Sequence, residues 1–195
     1  KTYECHWRIN FMNSAVLDDM LSLSRTTGHG AIFGFAGYSG SGKTTLAEKL
    51  IDYFYQKNIE IAVLKHAHHD FEADHEGKDS YRLRVAGSRQ VLVSSVTRSA
   101  LFTENHSEEE PSLKSLLSRL EPARLVLVEG FKKEFIPKLE IWQKSNQSPL
   151  LYLQDETILA MVTDDDILDL PIPRFYPNEI QKIADFIIST VGIKF

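Results

Sequence analysis

The chain has 195 residues, 43% hydrophobic and 25% charged, which is the balance of an ordinary soluble globular protein with room for one α/β domain and not for two generous ones. A formal charge of −5 argues against a nucleic-acid binder, which usually carries a basic face, and no apolar run approaches the ~20 residues that span a bilayer. Cys5 is the single cysteine, which excludes an intramolecular disulfide and a cysteine-based metal cluster and fits a reducing cytoplasm.

Residues 1–30 read as an N-terminal extension of unclear role, and residues 31–195 as a nucleotide-binding domain. Within the extension, Val16, Leu17, Met20 and Leu21 recur at helical spacing and predict one short amphipathic helix. Ala31–Ala36 is an apolar run ending in a glycine turn, as expected of a buried strand. The next helix shows Leu46, Ala47, Leu50, Ile51 and Phe54 on one face and Glu48, Lys49, Asp52 and Gln56 on the other. Ile59–Leu64 predicts a second strand, and His66–Gly77 is a long loop without a period, the kind that is commonly functional.

Asp79 or Ser80 is placed to cap a short helix that runs to Val85, with Gly87 as its stop. Gln90–Ser95 and Ser99–Thr103 read as strands. Pro111 leads into a helix carrying Leu113, Leu116, Leu117 and Leu120. Arg124–Val128 is a near-continuous apolar strand, the pattern of a parallel sheet covered on both faces. Short strands are expected around Pro137–Trp142, Leu150–Leu153 and Ile158–Val162. A last helix has Asn178 and Gln181 at capping-box spacing and a stripe of Ile180, Ile183, Ala184, Ile187, Ile188 and Val191. Strands alternating with helices predict a three-layer α/β domain.

The segment Gly37, Tyr38, Ser39, Gly40, Ser41, Gly42, Lys43, Thr44 fits the G-x-x-x-x-G-K-[ST] pattern in full. Glycines let the backbone curl so that successive N–H groups point at a β-phosphate, and the following helix adds its positive end. Lys43 is expected to reach β- and γ-phosphate oxygens, and the Thr44 hydroxyl to ligate Mg²⁺. Thr45 stands close enough to touch the α-phosphate. Such a loop needs an acid at the end of a neighbouring buried strand, to orient Mg²⁺ or to position an attacking water. Leu125-Val126-Leu127-Val128-Glu129-Gly130 supplies Glu129.

His66, His68, His69 and His75 crowd one loop, interleaved with Asp70, Glu72, Asp74 and Glu76. Three readings stay open. The loop is a transition-metal site of imidazole and carboxylate ligands, or a lining of the phosphate site, with Asp70 serving Mg²⁺ and Lys65 and the histidines facing phosphates or a second anion, or simply a solvated loop.

The strings AGYSGSGKTTLAEKLI, LKHAHHDFEADHEGKDSYRLRVAG and LVLVEGFKKE, in this order, resemble the molybdopterin-guanine dinucleotide biosynthesis protein B family, MobB. The resemblance runs from about Ala31 to the last helix. It implies a P-loop NTPase fold with a mainly parallel sheet plus a few antiparallel strands. It also implies a cytoplasmic GTP-binding adapter that assists the attachment of GMP to molybdopterin. On that pattern Gly37 to Thr45 bind phosphates and Mg²⁺, and Glu129 is the Walker-B-like acid. Lys65, His66, His68, His69 and Asp70 line the site, giving Thr44, Asp70 and Glu129 as metal residues and Asp70 and Glu129 as catalytic ones. The family works with a separate guanylyltransferase, MobA, hydrolyses GTP weakly and forms dimers. A homodimer is therefore expected, through an exposed strand edge among residues 99–103 or 137–153.

No N-K-x-D string for reading guanine is present, so Asp164 or Asp165, after the Ile158–Thr163 strand, is the candidate base-reading carboxylate. Two rival functions remain at this point. A small-molecule or nucleoside kinase would use Arg82, Arg84 and Arg89 as a lid, and a metallochaperone would use the histidines.

Overall fold

The computed structural model describes residues 14–67, 71, 73–106, 109–167 and 170–194. The chain divides into two compact units, one spanning Lys1–His66 with Leu113–Phe195 and the other Ala67–Ser112.

The larger unit is built on a six-stranded sheet in the order β2-β5-β1-β6-β7-β8, and every neighbouring pair in it is parallel. The strands are β1 Ile32–Ala36, β2 Ile61–Lys65, β5 Leu125–Glu129, β6 Lys138–Ile141, β7 Ile158–Val162 and β8 Arg174–Phe175. β1 and β5 are buried at every position, as the continuous apolar runs predicted for central strands covered on both faces. Alternation divides those runs between two cores. Phe33, Phe35, Leu125, Leu127, Leu139 and Ile141 pack against Leu50 and Phe54 of α3 (Lys43–Gln56) and Ile183, Ala184 and Ile187 of α6 (Ile180–Val191). Ile32, Val126, Val128 and Leu64 face the other way, onto Leu113 and Leu117 of α5 (Leu113–Leu117). Helices thus cover both faces of a parallel sheet.

The N-terminal segment has two short helices, α1 Ser14–Met20 and α2 Ser22–Thr27. Met20 is buried, and Leu23 packs against the second core. His29 fixes the junction: its Nε2 lies 3.0 Å from Leu117 O, and its Nδ1 accepts from Ala123 N–H at 3.3 Å.

Several expectations need correction. Leu150–Leu153 is not a strand; Leu151–Leu153 forms a 3₁₀ turn. The cause is Glu140, buried in β6, whose two oxygens accept the N–H groups of Leu151 at 2.8 Å and Tyr152 at 2.9 Å, removing those donors from any ladder. The last helix begins one residue later than its capping-box pattern suggested, with Glu179 at the N-cap and no side-chain cap bond. Glu179 instead accepts from the Tyr176 N–H, holding the turn before the helix. Finally, residues 138–141 offer no edge for a dimer, because β6 is paired on one side with β1 and on the other with β7.

Burial pushes the Glu140 carboxyl above its ordinary range, against the opposing pull of the Leu151 and Tyr152 N–H groups. A carboxyl raised in the folded state contributes most at low pH and loses that contribution as pH climbs from the unfolded value through the folded one. Denaturant titrations of Glu140→Gln and the parent chain at pH 4 and pH 7 are expected to show the variant gaining relative stability at the higher pH. Glu140→Ala leaves two backbone donors unsatisfied and is expected to cost about 2–4 kcal/mol at either pH.

The smaller unit contains α4 (Asp79–Val85) and an antiparallel hairpin of β3 (Gln90–Ser94) and β4 (Ser99–Thr103). Its α4 starts at Asp79 with Lys78 at the cap position, so neither Asp79 nor Ser80 is the cap residue. Ser80 donates its hydroxyl to Asp74 instead. Arg84 links Asp74 and Glu104, with its guanidinium near the rings of Tyr81 and Phe102. These are the antiparallel strands of the expected fold.

Candidate phosphate-binding site

Because all six strands run the same way, their C-terminal ends share one edge. Phe35 and Lys65 both register with Glu129, and Ala36 with Glu140. The loop after β1, the end of β2 and the end of β5 therefore meet at that edge, where open parallel sheets bind ligands.

The loop starts at Gly37, whose φ is +147°. A Cβ there would stand 2.5 Å from Ile141 O and 2.7 Å from Ser41 Oγ, so only glycine lets the chain turn this close to β6. Ser41 is 2% exposed, and its hydroxyl has no hydrogen-bond partner among the described residues. A buried, unsatisfied donor in a concave loop suits an acceptor-rich ligand such as phosphate. The loop passes through Gly42 into the 14-residue α3, whose N-terminal N–H groups and dipole add positive potential.

Two side chains of the first turn of α3 carry the chemistry. Lys43 Nζ donates to Tyr38 O at 2.8 Å, folding back over the loop. Thr44 Oγ1 lies 3.0 and 3.1 Å from the two oxygens of Glu129, to which it donates. Lys65, at the end of β2, reaches the same pair, with Nζ 3.3 Å from Thr44 Oγ1 and 3.5 Å from Glu129 Oε1. Burial holds the Lys43 ammonium below its ordinary pKa; Glu129 opposes this, and Lys132 and Lys65 reinforce it. The edge thus gathers several cations close enough to repel one another. A hydroxyl beside a carboxylate is also the hard-oxygen donor set that suits Mg²⁺.

Gly130, at φ +95°, lets the chain turn sharply after Glu129; a Cβ there would lie 2.6 Å from His66 Cβ. His66 donates its backbone N–H to Glu129 O at 2.8 Å, and its ring packs on Phe131 with centroids 4.8 Å apart. The histidine is thereby fixed beside the acid.

Of the residues singled out by sequence, Gly37 to Thr45, Lys65, His66 and Glu129 come together here. Tyr38 lies under Lys132, while Ser39 and Gly40 are exposed at the loop tip and Thr45 is exposed on α3. Asp164 is exposed just beyond β7, on the same sheet edge, and its neighbour Asp165 accepts the Lys144 N–H at 2.7 Å. His68, His69 and Asp70 lie outside the described residues. Lys132 was given no role of its own from sequence, although it lies in the LVLVEGFKKE string.

A glycine loop between a buried strand and a helix, with its lysine, threonine and partner acid in contact, defines a P-loop nucleotide-binding protein. The family model described as molybdopterin guanine dinucleotide synthesis protein B, MobB, matches residues 32–164. The chain is 39% identical over 161 residues to the molybdopterin-guanine dinucleotide biosynthesis adapter protein of Escherichia coli, covering 81% of this chain and 91% of that one. It is 42% identical over 164 residues to the protein of the same description from Haemophilus influenzae, covering 80% and 86%. Among solved structures, Bacillus subtilis MobB matches with a TM-score of 0.65 at 25% identity, over 82% of this chain and 96% of that one. The chain belongs to the MobB family.

Proposed function

We propose that this chain is the adapter of the step that converts molybdopterin to molybdopterin guanine dinucleotide, and that it grips GTP with Mg²⁺ at the P-loop. The observation that carries the reading is the contact of Thr44 with Glu129 beside Lys43. It joins a metal-type oxygen pair to a phosphate-type cation at a helix N-terminus. Thr44 and Glu129 would hold Mg²⁺, with Asp70 as a further candidate, and the ion would supply charge neutralisation at the β- and γ-phosphates. Glu129 directs both oxygens to the Thr44 hydroxyl, which favours a metal-side role over activation of water and agrees with weak hydrolysis.

Guanine is assigned to Asp164, because Asp165 is occupied by the Lys144 N–H and a carboxylate can accept from guanine N1–H and N2–H₂. The acting partner is the guanylyltransferase MobA in the cytoplasm, and molybdopterin is the candidate second ligand. For a homodimer, β4 remains the candidate edge, with Leu92 and Leu101 exposed on the hairpin. The kinase alternative is weakened by the arginines: Arg84 is engaged by Asp74 and Glu104, and Arg82 by Asp79.

Reconstitution tests the adapter role. Guanylyltransferase, molybdopterin and Mg-GTP are expected to yield more dinucleotide product when this chain is added, and the chain alone to yield none. Product from the chain alone, or fast phosphoryl transfer to nucleosides, would contradict it.

A further inference from the structure

The turn after Glu129 has two successive residues of positive φ, Gly130 at +95° and Phe131 at +50°. The second is rare for an aromatic residue and persists only where surrounding contacts hold it. One such contact is the Phe131 ring on His66. The turn leads the chain so that Lys132 Nζ stands 4.4 Å from the ring centroid of Tyr38, inside the phosphate-binding loop.

A second hold comes from within the sheet. Lys138, 1% exposed, donates from Nζ to Lys132 O at 2.9 Å and to Asp155 Oδ2 at 2.8 Å. Thr157 in turn donates to Asp155 through its backbone N–H and its hydroxyl. Space for the Lys138 stem exists because Gly34 lies opposite it in β1, where a Cβ would meet Lys138 Cγ at 2.7 Å. A lysine buried in a strand sacrifices hydration, and a well-packed apolar residue of similar volume commonly serves stability as well or better. What Lys138 supplies that an apolar side chain cannot is a fixed position for the Lys132 carbonyl.

Charge gives the reason to fix it. Lys65 and Lys132 both lie close enough to Lys43 to repel it, and Lys65 stands 3.5 Å from Glu129 Oε1. Glu140, an acid that feels Lys132, is buried and has its oxygens on the Leu151 and Tyr152 N–H groups. The excess of ammonium groups suits a polyanion. The geometry points to Lys132 as a binding residue for the terminal phosphate of the nucleotide, and to Lys138 as the residue that positions it. The assignment rests on the nucleotide reading above. The terminal phosphate is selected because Lys132 belongs to the same turn as Glu129. That acid touches Thr44, whose hydroxyl in P-loops serves the ion bridging the β- and γ-oxygens.

Titration of Lys132→Met with GTP and with GDP, Mg²⁺ present, tests the proposal. The loss of one charge-assisted contact is expected to weaken GTP about tenfold and to change GDP by less than about twofold. Lys138→Met is expected to weaken GTP in the parent chain and to add nothing in the Lys132→Met background, while lowering the melting temperature equally in both. Additive losses of affinity would make Lys138 a purely structural residue. If Lys138→Met does not fold, Lys132→Met still decides the phosphate assignment. No change in that variant, or equal weakening of GTP and GDP, overturns the assignment while parent binding of GTP leaves the site reading intact. A parent chain that binds neither nucleotide overturns both.

Discussion

Lys43→Ala is expected to weaken GTP binding on the order of 100-fold, with the fold unchanged. The ammonium of a P-loop lysine meets two phosphate oxygens, and each charge-assisted hydrogen bond is worth roughly 1.5–3 kcal/mol net, so about 3 kcal/mol is a conservative sum. The fold tolerates the change because Lys43 Nζ donates to Tyr38 O, a carbonyl at the half-buried start of the loop, and repels Lys65 and Lys132. Removing it relieves that repulsion. Calorimetric titration reads the affinity, and a thermal melt of the same sample reads the fold. A loss of affinity with a large drop in melting temperature would point to structural damage and not to a lost phosphate contact.

Glu129→Ala should separate metal from nucleotide. The carboxylate is nearly buried, contacts the Thr44 hydroxyl with both oxygens and faces Lys65. With Mg²⁺, GTP affinity is expected to fall roughly 10–100-fold, the usual loss when a residue of a metal's immediate surroundings is removed. Without Mg²⁺ the sign reverses: deleting a negative charge beside the phosphates makes metal-free GTP bind slightly more tightly. Titrations in Mg²⁺ and in chelator, on the variant and the parent, measure both arms. Equal weakening in the two conditions would remove Glu129 from the metal's surroundings.

The parts of this site visible in the sequence are those specified locally. The P-loop is a contiguous string, and Glu129 is found by following one apolar strand to its end. The parallel sheet was also legible, since β1 and β5 carry apolar residues on both faces and only a doubly covered strand does so. What escaped depends on contacts distant in sequence. Leu150–Leu153 has a strand's composition, and only Glu140, ten residues earlier in the chain than Leu150, makes it a turn. Lys138 and Glu140 alternate with Leu139 and Ile141, yet all four residues are buried. β8 has two residues and no pattern to detect. The turn at Gly130 was legible from its glycine, but the Lys138 ammonium that holds the Lys132 carbonyl has no sequence signature.

Affinity for the nucleotide base and metal tests the central reading most directly. GTP and ATP are titrated into the parent chain by calorimetry, each in Mg²⁺ and in chelator. The expected result is a clear preference for GTP that depends on Mg²⁺. Equal affinity for GTP and ATP, or binding indifferent to Mg²⁺, would contradict the account of this P-loop as the grip on Mg-GTP.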